Sequence, residues 1–265
     1  MQSQELGRLN KRDAGDLLAR RKVYIALLVP LSPGAPDGFD ERFGAYWKSV
    51  DRNVAQLEAR AGTVKRVFVE GVSRGGQAGL NMLEKSNPAA HELVTTRLKS
   101  GAVIEGFEDE SLFAEVLDWG RCLQAGFVSR KVGETVNNAF RAASAARLKH
   151  LQTRLNDGVK QMEAALLLTS RADSISPPPD MERFLVSPPE LDELERWVRE
   201  ANEAILKAVE EEEARLMQEE QGHAGHGHGP PSAPGGPGPA RPQQASTPPP
   251  PSKPGGTGLW TPGQR

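Results

Sequence analysis

The sequence predicts an α/β fold: a mostly parallel sheet of about five strands sandwiched by helices, then a long C-terminal helix and a tail. Three observations predict it. Short aliphatic runs recur along the chain, stretches with apolar residues three and four apart separate them, and the last forty-five residues are half glycine and proline. Strand-helix-strand alternation of this kind implies right-handed crossovers between parallel strands.

Residues 1–21 read as an extension, with Leu6, Leu9, Leu17 and Leu18 as contacts of a short docking helix or a frayed terminus. KVYIALLVPL (22–31) is an unbroken apolar run ended by SPGAPDG, the pattern of a central strand covered on both faces. Phe39, Phe43, Trp47, Val50, Val54 and Leu57 then mark a helix with one buried face. Gly62 stands where its C-terminal cap belongs. RVFVEG (66–71) reads as the second strand, followed by a helical stretch broken at Asn87-Pro88, and GAVIEGFE (101–108) as the third. Leu112, Phe113, Val116, Leu117 and Leu123 define the next helix, closing near Gly126. Ser129 is placed to cap another, carrying Val132, Val136, Phe140, Ala143, Leu151 and Leu155 to about Gly158. MEAALLLTS (162–170) is a fourth buried strand, and RFLV (183–186) a short edge strand. The α/β domain so defined covers residues 22–200.

SPPE (187–190) has the form of a capping box: Ser187 at the cap, Pro188 in the first turn and Glu190 three residues on. Leu191, Leu194, Val198, Ala201, Ile205 and Ala208 follow in a heptad-like seam, and residues 201–220 continue it as a charged helix. That seam makes a solvated, fraying end or a homodimer contact.

From Gln221 to Arg265 there are twelve prolines, eleven glycines and no acidic residue. Such a composition buries too little apolar surface to offset its conformational entropy, so a disordered tail is expected. The net charge is −2, and the tail's Arg241, Lys253 and Arg265 leave −5 on the remainder. An acidic body argues against broad nucleic-acid binding, which needs clustered Lys and Arg. With Cys122 the single cysteine, no internal disulfide forms and a reducing compartment is expected. The charged N-terminus lacks a signal-peptide core, and no apolar run reaches the roughly 20 residues that span a bilayer. The expectation is a cytoplasmic protein without a membrane contact.

Glu70 and Glu105 each end a strand and precede a glycine, at the sheet edge where open parallel sheets bind ligands. Glu108, Asp109 and Glu110 follow, with Asp118 and Arg121 on the next helix. Carboxylates converging there can serve as acid and base, or hold a divalent cation through Glu105 and Asp109. Against this, acidic residues favour a helix start, and Asp118 with Arg121 is an ordinary i,i+3 pair. VEGVSRGGQAGL (69–80) runs strand, glycine-rich turn, helix, and Arg74 there can meet an anionic group, although neither nucleotide fingerprint is present. Cys122 is expected to be a buried thiol. His91 and His150 sit singly, and His223, His226 and His228 are at most loose metal ligands.

YWKSVDRNVAQLEAR, LKSGAVIEGFEDESLFAEVLDWGRCL and MEAALLL resemble a prokaryotic α/β protein family of no known activity, over roughly residues 23–200. The resemblance is densest from Gly101 to Leu123 and directs attention to Glu105, Glu108, Asp109, Asp118, Trp119 and Arg121. The α/β pattern is also distantly similar to release-factor-related bacterial proteins. The tripeptide GGQ does occur, at Gly75–Gln77, but wedged between a strand and a helix and without the long carrier domain, so peptide release is not expected.

Two functions follow. One is a non-enzymatic interaction protein whose tail presents Leu259, Trp260, Pro262 and Gly263 to a partner protein, the tryptophan as anchor and the Pro-Gly turn as its mount. The other is a metal-dependent phosphoryl or phosphodiester hydrolase, or a nucleotide-binding regulator, using Glu70, Glu105, Glu108 and Asp109.

Overall fold

A computed structural model describes residues 19–31 and 35–223, with side chains through residue 217. Five strands form one all-parallel sheet in the order β3-β2-β4-β1-β5. They are β1 (Arg21–Leu27), β2 (Val64–Val69), β3 (Val103–Ile104), β4 (Ala164–Thr169) and β5 (Met181–Val186). Among the described residues these helices accompany them: α1 (Phe39–Ala61), α2 (Gly76–Ser86), α3 (Pro88–Lys99), α4 (Glu110–Gln124), α5 (Arg130–Gly158) and α6 (Pro189–His223). The α/β expectation holds. Through Arg196 the described chain forms one compact unit, and the rest of α6 from Trp197 falls in a second.

β4 lies at the centre with all six residues buried, which is why AALLLT carries no polar alternation. Side chains of β1 alternate between the two faces. Tyr24 points to α1 and donates its hydroxyl to the Gly62 carbonyl at 2.7 Å. Val23 and Ile25 join Phe68, Leu167, Leu151, Leu155 and Val159 in the core beneath α5. The Tyr46 hydroxyl, from α1, donates to the Leu27 carbonyl at 2.7 Å and fixes the carboxyl end of β1.

Asn87 sets the break in the helical stretch after β2. Its side-chain oxygen accepts from the Ala90 amide at 3.0 Å, capping α3, while its amide donates to the Val29 carbonyl at 2.8 Å. One buried side chain thus starts a helix and holds the loop after β1. Arg97 ties α3 to α1 through Asp51 and Glu58.

Three local expectations give way to tertiary contacts. The third strand has two residues instead of eight, because the chain leaves the sheet after Glu105 and the Phe107 and Glu108 amides bond the Val72 carbonyl instead. Glu190 does not complete a capping box; it accepts from the Ser49 hydroxyl of α1, and α6 begins one residue later than SPPE implies, at Pro189. Cys122 is exposed, since no residue of α4 is buried and this helix packs chiefly on α5. Ser129 precedes α5 as expected, but its side chain makes no capping bond.

In α6, Leu191 and Leu194 are buried, while Ile205, Leu206 and Val209 are exposed. Among the described residues no helix is long and apolar enough to cross a membrane.

Candidate functional site: a cleft over the carboxyl ends of β2 and β4

The connection after β2 leads outward to β3, whereas that after β4 leads the other way, to β5. Neighbouring strands whose exits diverge leave a crevice above their carboxyl ends, where open α/β sheets bind ligands. Here Glu70 directly follows β2, and Thr169, the last residue of β4, is followed by Ser170 and Arg171.

Glu70 spans the crevice. Its Oε2 accepts from the Ser170 amide at 2.6 Å and from the hydroxyls of Thr169 and Ser170, both at 2.8 Å. Its Oε1 accepts from Arg147 Nη2 at 2.8 Å. Arg147, on α5, also donates to both oxygens of Glu108, through Nε at 2.8 Å and Nη2 at 2.6 Å. The Gly71 amide adds a bond of 3.2 Å to Glu108 Oε2. Glu108 is 1% exposed at its side chain, Glu70 15% and Arg147 16%, so the triad is a buried ionic cluster. The Arg147 guanidinium also lies over the Phe113 ring at 5.0 Å, a cation–π contact that closes the cluster on the α4 side.

Burial pushes the Glu70 carboxyl up, but the Ser170 amide and the Arg147 guanidinium together outweigh it and hold the group below its ordinary value. Burial likewise opposes the Arg147 charge, and the paired carboxylates override it, raising that group. Glu70 and Arg147 are therefore ionised throughout the neutral range.

Beside it opens a cavity of about 850 Å³. Its walls include Leu27, Leu28, Val29 and Pro30 after β1, Asn87, Phe113, Leu191, and the ionic residues Glu70, Arg171, Asp173 and Glu195. A volume of this size falls in the range of roughly 300–1,000 Å³ typical of small-molecule sites.

The other residues singled out in the sequence lie elsewhere. Glu105 pairs with Arg66 of β2, which also approaches Glu163 at 3.5 Å. Asp109 caps α4, accepting from the Ser111 and Leu112 amides at 2.9 and 3.0 Å. The Ser111 hydroxyl and these amides hold its carboxyl below the usual range. Arg74 meets Glu110 at 3.3 Å, and Arg121 meets Asp118 at 3.1 Å, in exposed pairs. So of the four carboxylates Glu70, Glu105, Glu108 and Asp109, only Glu70 and Glu108 come together. Among the described residues no group of three or more His, Cys, Asp and Glu is arranged to hold a metal ion. Leu259, Trp260, Pro262 and Gly263 lie outside the described residues.

Sequence reasoning missed Arg147, Thr169, Ser170 and Arg171. The last three had a signal: they close a central strand at the same edge as Glu70. Arg147 had none, being one basic residue among several on a helix. No family model, curated protein or solved structure matches the chain.

Proposed function

We propose that this is a non-enzymatic cytoplasmic interaction protein whose α/β body holds a small molecule in the cleft over β2 and β4. In this reading the tail presents the Leu259–Gly263 segment to a partner protein, and the lone cysteine fits a reducing compartment. The observation that carries the non-catalytic reading is the state of Glu70. A general base works best with a pKa near the operating pH and an oxygen facing the proton it removes. Glu70 is held below its ordinary value and its Oε2 already receives three donors. It acts as a clamp that ties the ends of two strands and gives the cleft a rigid floor.

The hydrolase reading needs Glu105 and Asp109 at the same point as Glu70 and Glu108. The first is paired with Arg66 and the second is engaged in capping α4. The cleft supports ligand binding better than it supports metal-assisted hydrolysis.

The test is a fragment screen by ligand-observed NMR on the full-length protein and on Leu28→Trp, which places an indole at the cleft wall. Fragments that bind the wild type and lose binding in the folded variant support the reading. A screen in which every hit binds both proteins equally would overturn it.

A further inference from the structure

We infer that the cleft selects an organic cation, a protonated amine carried on an apolar body; this rests on the cleft being a ligand site. The inference comes from charge balance at its floor. Glu70 and Glu108 are two carboxylates served by one guanidinium, Arg147, with neutral donors making up the rest. By formal charge the cluster holds one more carboxylate than guanidinium, in a setting where Glu108 is 1% and Glu70 15% exposed. Charge left over in a poorly solvated place acts more strongly than charge on an open surface.

Glu70 is the member of the cluster that lines the cavity. Its Oε2 is saturated by three donors, but its Oε1 receives only Arg147 among the described residues. A carboxylate oxygen accepts at least two hydrogen bonds, so Oε1, with one, can take a ligand N–H. An ammonium group there would form a charge-assisted hydrogen bond and cancel the excess charge.

The remaining ionic residues of the wall do not reverse this. Asp173 pairs with Arg183 at 2.7 Å, and Glu195 and Arg171 are both exposed, one of each sign. Arg171 is exposed, so solvent screens its charge for an anionic ligand, which would also approach the Glu70–Glu108 pair of carboxylates. The apolar wall of Leu28, Val29, Phe113 and Leu191 takes the body of the ligand.

Three probes of one shape separate the possibilities: 2-phenylethylamine, 2-phenylethanol and 3-phenylpropionate, titrated calorimetrically into the full-length protein. The amine should bind roughly tenfold more tightly than the alcohol, the advantage of a hydrogen bond to a charged group, and the carboxylate weakest. Glu70→Gln should remove the amine's advantage over the alcohol. The wild-type comparison stands without the variant, should Glu70→Gln unfold the protein. Equal binding of all three probes overturns the charge selection while leaving the ligand site in place. Binding by none of them overturns the inference, and the Leu28→Trp screen then decides the ligand site separately.

Discussion

Replacing Arg147 by methionine keeps an unbranched side chain against Phe113 and removes the one cation shared by Glu70 and Glu108. The two carboxylates do not suffer equally. Glu70 retains the Ser170 amide and two hydroxyls, whereas Glu108 keeps only the Gly71 amide at 3.2 Å. Breaking a buried ion pair by deleting one partner costs about 3–5 kcal/mol, and the donors left on Glu70 point to the lower end, about 3 kcal/mol. For a domain of this size each kcal/mol shifts the melting temperature by roughly 2–4 °C, so a drop of roughly 6–12 °C is expected. The pH dependence identifies the cause. In the wild type the Glu70 carboxyl titrates below its unfolded value of 4.5, so its stabilisation is present above that value and is lost as the pH falls through the folded one. In the variant burial acts on Glu70 without the guanidinium, its carboxyl titrates higher, and acid relieves the variant before it weakens the wild type. The gap is therefore widest near neutrality and narrows towards pH 4.5. Thermal melts followed by circular dichroism at several pH values measure it. A variant as stable as the wild type at neutral pH, or a gap that ignores pH, would refute the assignment of the triad as a buried ionic clamp.

Gly44, inside α1, has open space where a Cβ would be, so Gly44→Ala should stabilise by about 0.5–1 kcal/mol, while Gly106→Ala, whose Cβ would lie 2.6 Å from the Ser73 carbonyl oxygen, should lower the melting temperature. If the seam of α6 is intermolecular, the wild type sediments as a dimer and Ile205→Glu with Ala208→Glu gives monomers. A monomeric wild type over a wide concentration range would sink that contact. Deleting residues 221–265 should leave the melting temperature unchanged, and Trp260→Ala should abolish capture of a partner protein without altering the circular dichroism of the body. A partner retained equally by both proteins in pull-downs would remove the tail motif from the proposal.

What the sequence made legible was whatever depends on near neighbours. A short unbroken apolar run such as AALLLT reads as a strand shielded on both faces, and it is the central strand. The interruption at Asn87-Pro88 was equally readable, because the side chain that ends one helix caps the next within three residues. The site was another matter, since it is made by strand order. Glu70-Gly71 and Glu105-Gly106 are the same dipeptide after the same kind of strand, and from the sequence they are equivalent. They part company because β2 lies beside β4 and β3 lies at the edge. Glu70 therefore meets Thr169 and Ser170 across the crevice, about a hundred residues away in sequence. Glu105, with no strand beyond it, turns to Arg66 on β2. The same reasoning explains the unread Arg147. Its two partners are 77 and 39 residues distant, and the helix carrying it shows no local pattern that separates Arg147 from Arg141 or Arg154. Strand order thus settles which of the two Glu-Gly carboxylates stays at the sheet edge and which one lines the cleft, and it is a property of the whole chain that no window of residues contains.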